Sequence, residues 1–157
     1  MEVILDEIDE KIISILQKNA RASIKYISEQ VFLSSTAVSM RIEHLEKVGI
    51  IKGYHAQINP LALGYYIKAF INLEVEPVQK KEFYPYIESC PNVVECNCVT
   101  GDYSMLIEVI FRTTMDLDRF IGELQQFGKT RTQITFSTSV EHRDIFFQSK
   151  PPYQQET

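Results

Sequence analysis

Residues 24–45 hold two apolar stripes at helical spacing, Ile24, Ile27 and Val31 and then Val38, Ile42 and Leu45. Apolar side chains recurring every three to four residues turn one face of a helix toward a core. The two helices they define are joined by only Phe32-Leu33-Ser34. Each is barely three turns long, and so short a connection makes them meet at a tight angle, as in a helix-turn-helix. Ser23 is placed to cap the first of the pair, and Ser34 or Ser35 the second, because a hydroxyl accepts from an otherwise unpaired N–H of the first turn. An earlier stripe, Leu5, Ile8, Ile12, Ile15 and Leu16 with Asp6 as N-cap, predicts a helix packed across both. Gly49 stands just past the third stripe, where a left-handed residue ends a helix cheaply. Ile50–Ile58 reads as a short strand or wing, and Asn59-Pro60 and Leu63-Gly64 as a linker.

Beyond Gly64 the apolar period switches from helical spacing to strict alternation. Ile67, Ala69, Ile71, Leu73 and Val75 alternate with Tyr66, Lys68, Phe70, Asn72, Glu74 and Glu76, the pattern of a strand. Residues 79–90 read as a helix with Phe83, Ile87 and Cys90 on one side. Pro85 favours a late start, because a proline inside a helix removes a hydrogen bond. Val93–Val99 and Met105–Phe111 are two further strands around a turn at Gly101-Asp102. Leu117, Phe120, Ile121, Leu124 and Phe127 form an amphipathic helix ended by Gly128, and Thr132–Val140 is the last strand. The order β-α-β-β-α-β is the split βαβ, or ferredoxin-like, arrangement. One face of its sheet carries two helices, and the other carries Tyr66, Phe70 and Leu106. An uncovered apolar face on a small domain calls for a partner, most simply a second copy.

The fold class is therefore α+β. An N-terminal helix-turn-helix (winged-helix-like) domain spans 1–56, a linker 57–65, a ferredoxin-like αβ-sandwich domain for dimerisation and effector binding 66–141, and a polar tail 142–157. The start, Met1-Glu2-Val3-Ile4-Leu5-Asp6, is acidic, unlike a secretory signal, and no apolar run is long enough for a membrane span. The expected location is the cytoplasm, with no membrane partner.

Charge bears on what the first domain binds. The chain carries a formal net charge of −5, which opposes contact with phosphates. Residues 11–60, however, hold seven cations against three acids, while residues 1–10 hold five acids. The basic footprint is local and modest. With Val38, Ile42 and Leu45 turned inward, the third helix presents Thr36, Ser39, Met40, Glu43 and Lys47 outward. Small hydroxyl residues let a helix sit deep in the major groove and donate to phosphates or base edges, and Met40 suits a thymine methyl. Ser35, Thr36, Ser39, Met40, Arg41 and Lys47 are the candidate contacts to double-stranded DNA. For Arg41 two readings stand open: a flanking phosphate contact, or an ion pair within the domain.

Other chemistry is poorly supported. Cys90, Cys96 and Cys98 have the spacing of neither a disulfide framework nor a four-ligand metal site, and read as reduced thiols in a strand. No phosphate loop, paired catalytic carboxylates or nucleophile-base spacing is present, so neither enzyme nor cofactor is expected. Two rivals remain on the residues alone: a metabolite-binding subunit, and an adaptor whose helical half binds protein.

Several motifs, in order, narrow the choice. Leu5-Asp6-x-x-Asp9-x-x-Ile12, Arg21-x-Ser23, Leu33-Ser34, Val38-x-x-Arg41-x-x-x-Leu45-Glu46-x-x-Gly49-Ile50-Ile51, Gly53-Tyr54 and Leu63-Gly64 fill the first half. Pro91-Asn92-Val93-Val94-Glu95, Val99-Thr100-Gly101-Asp102-Tyr103 and Arg131-Thr132 follow. Together, over roughly residues 5–141, they resemble the leucine-responsive/asparagine regulator family, Lrp/AsnC. The resemblance implies a transcription regulator that dimerises, often assembles to tetramers or octamers, and binds amino acids between dimers. It implies an effector site at Thr100, Gly101, Asp102, Tyr103 and Ser104 with Thr132, Gln133 and Ile134. Ser104 stands where the family usually has a second aspartate, and Ile134 where it often has threonine. One acid fewer and one hydroxyl fewer suggest a neutral apolar ligand, or no free amino acid at all.

Overall fold

A computed structural model describes residues 4–143. The chain divides into two units, the first running to Gln57 and rejoined from Val140, the second spanning Ile58–Ser139. The expected tail, 142–157, lies outside the described residues from position 144 on.

The first unit contains α1 (Glu7–Lys18), α2 (Ile24–Val31) and α3 (Ser35–Lys47). Each begins at the residue whose side chain satisfies its first turn. Asp6 accepts from the Asp9 N–H at 2.8 Å, and Asp9 reaches back to the Asp6 N–H, a reciprocal capping box. Ser23 caps α2 and Ser34 caps α3. The three inward stripes, Ile12, Ile13 and Leu16, Ile27 and Val31, and Val38, Ile42 and Leu45, close one core. At the end of α2, Phe32 adopts a left-handed conformation, φ 56°, which turns the chain into α3 within three residues. Gly49, φ 77°, ends the last helix as expected: its N–H reaches the Glu46 carbonyl and that of Ile50 the Leu45 carbonyl. Ile50–Ile58, expected as a strand or wing, is not a strand. An extended segment forms a strand only against another backbone. Here it is anchored by the half-buried Ile51 and by Tyr54, whose hydroxyl donates to Glu46 at 2.8 Å.

The second unit contains β1 (Ile67–Val75), α4 (Lys80–Ser89), β2 (Val93–Cys98), β3 (Met105–Phe111), α5 (Thr114–Leu124) and β4 (Gly128–Ile134). The sheet order is β2-β3-β1-β4 with every neighbouring pair antiparallel, the ferredoxin-like arrangement. Alternation sends Ala69, Ile71, Leu73 and Val75 together with Met105, Ile107 and Val109 into a core closed by Phe83 and Ile87 of α4 and Leu117, Phe120 and Leu124 of α5. On edge strand β2 the register slips between Val93 and Glu95, leaving Val94 as an exposed bulge.

Three expectations are corrected. Helix α4 does not start late but runs through Pro85. The carbonyl of Lys81 loses its helical donor there, yet Lys81 and Pro85 both lie on the exposed side, while buried Phe83 and Ile87 hold the helix down. Gly128 does not end α5, which stops at Leu124; it opens β4. The last strand accordingly begins four residues before Thr132 and stops at Ile134 instead of Val140. Gly128 pairs with Val75, and a Cβ at Gly128 would collide with the Glu74 carbonyl, so only glycine lets the strand start there.

Candidate nucleic-acid interface and effector cavity

Helix α3 is positioned by its own cap and by its buried stripe. Its free face carries Ser35, Thr36, Met40, Glu43 and Lys47 exposed, with Ser39 half-buried beside them. Met40 is 66% exposed, a large apolar side chain left in water on the outward face of a helix. Arg41 differs from these neighbours. Its Nη1 donates to Asp6 Oδ2 at 2.8 Å and to Asp9 Oδ1 at 2.7 Å. Of the two readings open for Arg41, the structure therefore places it in an ion pair inside the domain. The Asp9 N–H and the Arg41 guanidinium hold the Asp6 carboxyl below its ordinary range. The hydrogen bonds that Arg41 donates to Asp9 and Asp6 raise its own pKa in turn. The two acids thus start α1 and aim α3 together.

Two neighbouring features add to this, the first of which carried no sequence signal while the second lies in the Gly53-Tyr54 motif. Phe32 is 88% exposed in the turn between α2 and α3, with the Lys11 ammonium 5.7 Å from its ring centre. Its left-handed backbone is visible only in three dimensions. Tyr54 has its pKa pushed up to about 12 by burial and by Glu46, so the phenol stays a neutral donor.

In the second unit the turn between β2 and β3 borders a cavity of about 290 Å³. Thr100, Asp102 and Tyr103 line it from the turn, with Val99; Asn72, Arg131 and Gln133 line it from β1 and β4. Asn72 lies directly across from Arg131, and Phe70 from Gln133, so these strands put Asn72, Arg131 and Gln133 on the face away from the helices. The Asn72 amide donates to Gln133 Oε1 at 3.2 Å. The side chains of Asp102 and Arg131 are exposed, and neither side chain makes an ion pair or hydrogen bond among the described residues. One cavity therefore holds an unpaired anion, an unpaired cation and an amide pair.

The expected effector residues divide accordingly. Thr100, Asp102, Tyr103 and Gln133 meet at the cavity, with Gly101, φ 114°, making the turn between them. Ser104 does not line it: its Oγ accepts from the Val75 N–H at 2.9 Å and donates to the Leu73 carbonyl at 3.3 Å, which extends the β1–β3 pairing. Thr132 and Ile134 point to the opposite face of β4, because neighbours along a strand alternate. The Thr132 hydroxyl is buried there without a partner among the described residues. The wall of this cavity is largely polar. Asn72 and Arg131, which sequence reasoning missed, become visible only once β1 is paired with β4. Among the described residues no group of three or more His, Cys, Asp or Glu side chains could hold a metal, and no helix is long and apolar enough to cross a membrane.

Comparison with known proteins agrees with this layout. Residues 5–46 match the AsnC-type helix-turn-helix domain, and residues 68–145 the Lrp/AsnC ligand binding domain. The HTH-type transcriptional regulator FL11 of Pyrococcus furiosus is 34% identical over 148 residues, 92% of this chain and 98% of its own. The HTH-type transcriptional regulator LrpA of Bacillus subtilis is 35% identical over 131 residues, 83% of this chain and 96% of its own. Among solved structures, the feast or famine regulatory protein Rv3291c from M. tuberculosis, complexed with L-methionine, superposes with a TM-score of 0.85 at 28% identity, covering 90% of this chain and 99% of its own. With both halves matched in order and the whole fold shared, this chain belongs to the Lrp/AsnC family of helix-turn-helix transcriptional regulators.

Proposed function

We propose that the protein binds operator DNA as a two-fold dimer, reading bases with the free face of α3, and that an amino acid in the cavity beside Asp102 modulates it. The observation that carries the DNA reading is the division of labour on α3. Val38, Ile42 and Leu45 are buried and Arg41 is engaged by two acids, while Ser35, Thr36, Ser39, Met40 and Lys47 form the face open to the major groove. Arg41 acts in this scheme by aiming the helix. The functional domains are residues 1–56 for DNA and 66–141 for assembly and effector, joined by 57–65 and followed by the tail 142–157, and the protein works in the cytoplasm as a regulator, not an enzyme.

The face of the sheet away from the helices supports self-association. Tyr66 is 68% exposed there, with Phe70, Leu106 and Ile110 only half-buried. An isologous contact between two such faces covers them, and dimers then assemble to tetramers or octamers. The effector reading rests on Asp102 and Arg131. An ammonium and a carboxylate leaving water need opposite charges, and the cavity offers one of each, unpaired. The related regulator crystallised with L-methionine points to the same ligand class. A mobility-shift assay on the DNA upstream of the protein's own gene, with unlabelled competitor and with or without amino acids, tests both. Retention on specific DNA that amino acids shift supports the reading; no retention at low salt sinks it.

A further inference from the structure

The aromatic ring of Phe32 is not needed by the turn in which it stands. Phe32 ends α2 in a left-handed conformation, φ 56° and ψ 41°, and among the described residues it is the one non-glycine residue with positive φ. A bulky side chain is strained there, whereas glycine is not. The turn is made by backbone: the N–H groups of Phe32 and Leu33 both reach the Ser28 carbonyl, and a glycine would make the same bonds. Nor does the ring fill a core, since Phe32 is 88% exposed. Residues held in costly conformations concentrate where something is bound. An aromatic ring left in water is stabilised when a partner covers it.

The position of Phe32 indicates the partner. It stands two residues before Ser34, the N-cap of α3, beside the end of the helix at which Ser35 and Thr36 are exposed. Lys11, exposed on α1 and without an ion pair among the described residues, holds its ammonium 5.7 Å from the ring centre. A helix lying in the major groove has a sugar-phosphate strand along each side. Each nucleotide of such a strand sets an apolar sugar edge next to an anionic phosphate. Phe32 and Lys11 set an apolar ring next to a cation. A protein surface would be served by the ring alone, and the ammonium beside it selects a polymer with alternating apolar and anionic groups.

We infer that Phe32 and Lys11 together clasp one nucleotide of the DNA backbone at the lip of the major groove. The ring covers the C–H edge of the deoxyribose and the ammonium meets the phosphate. This rests on the proposed reading of DNA by α3. The contact carries no sequence information of its own; it adds affinity and fixes how α3 sits. The strain at Phe32 is tolerated for that contact.

Fluorescence anisotropy of the full-length protein tests this, on labelled DNA from upstream of its own gene and on an unrelated duplex, across a range of salt. Phe32→Gly should weaken binding to both duplexes about fivefold or more, the effect of uncovering one aromatic face, with the salt slope unchanged. Its melting temperature should be no lower than the parent's, because the strain is gone. Phe32→Tyr, which keeps the ring, should bind like the parent. Lys11→Ala should reduce the salt slope by about 0.9. Phe32→Gly binding within twofold of the parent overturns the inference and leaves the reading by α3 standing. So does an affinity loss accompanied by a lower melting temperature, which would assign Phe32 to holding the turn, or an unchanged salt slope in Lys11→Ala. A parent that binds neither duplex at low salt overturns the DNA reading and the inference with it.

Discussion

The Arg41 guanidinium meets the Asp9 carboxylate at 2.7 Å, so the middle of the helix proposed to read DNA is tied to the first turn of α1. The same Nη1 also reaches Asp6, the N-cap of that turn. Replacing Arg41 with alanine should lower the melting temperature and weaken DNA binding at every salt concentration by a similar factor. A direct phosphate contact would instead flatten the salt dependence, as Lys47→Ala should by a slope of about 0.9. Titrating operator binding against salt for both variants separates the two roles. A flattened slope in Arg41→Ala would count against the aiming role.

The same ion pair sets a pH dependence. The folded Asp6 carboxyl titrates below its ordinary range, chiefly through the Asp9 N–H and then Arg41. Its contribution to stability is therefore complete above the ordinary carboxylate range and is lost as pH falls through the lowered folded value. Thermal melts on the acid side should show this loss in the parent and a weaker one in Asp6→Asn. Equal acid sensitivity in both would exclude the pair as its source.

Thr36 and Ser39 should govern sequence preference. A good base contact contributes about 1–3 kcal/mol of discrimination, so the double alanine variant should bind a relaxed or altered set of sites. Selection from random DNA measures it. An unchanged preferred site would assign the readout to another element.

Ser104→Ala removes the acceptor for the Val75 N–H and should cost about 1 kcal/mol in chemical denaturation. Effector affinity should stay unchanged, because the hydroxyl faces β1 and not the cavity. A large loss of ligand binding without loss of stability would return Ser104 to the site.

Gly128→Ala should destabilise by about 1–3 kcal/mol or more, since the added methyl meets the Glu74 backbone, which has no flexible end to move. Phe70→Asp, on the sheet face away from the helices, should instead leave the unit folded and break the dimer, lowering the mass seen by light scattering. A dimeric Phe70→Asp protein would move the contact elsewhere.

Much of this molecule was legible before any coordinates. Asp6, Ser23 and Ser34 announce three helix starts through local chemistry, and the alternation from Ile67 to Val75 announces β1 and its buried face. Long-range geometry was not legible. Gly128 is locally the same whether it ends a helix or opens a strand, and the Glu74 backbone decides between them. Pro85 argues against a helix in isolation, but Phe83 and Ile87 on the buried side outweigh one missing bond. The cavity shows the same limit. Its turn residues stand together in sequence, whereas Asn72 and Arg131 are brought in by the β1–β4 register. Ser104 and Ile134 were expected at the site from the family resemblance, and only the Ser104 hydroxyl bond and the alternation along β4 show that their side chains do not line this cavity.

The bulge at Val94 bears on what the molecule must refuse. A chain that meets copies of itself at one surface, as proposed above, runs the danger of meeting them everywhere, and the outer rim of β2 offers unpaired backbone to any passing strand. The extra residue there breaks the regular spacing that an intruding chain would have to match. At the opposite rim, Lys129 and Arg131 alternate along β4, so stacking identical rims would crowd like charges. Both rims thereby discourage runaway fibre growth along the margins of the sheet and leave its broad side for the self-association proposed above.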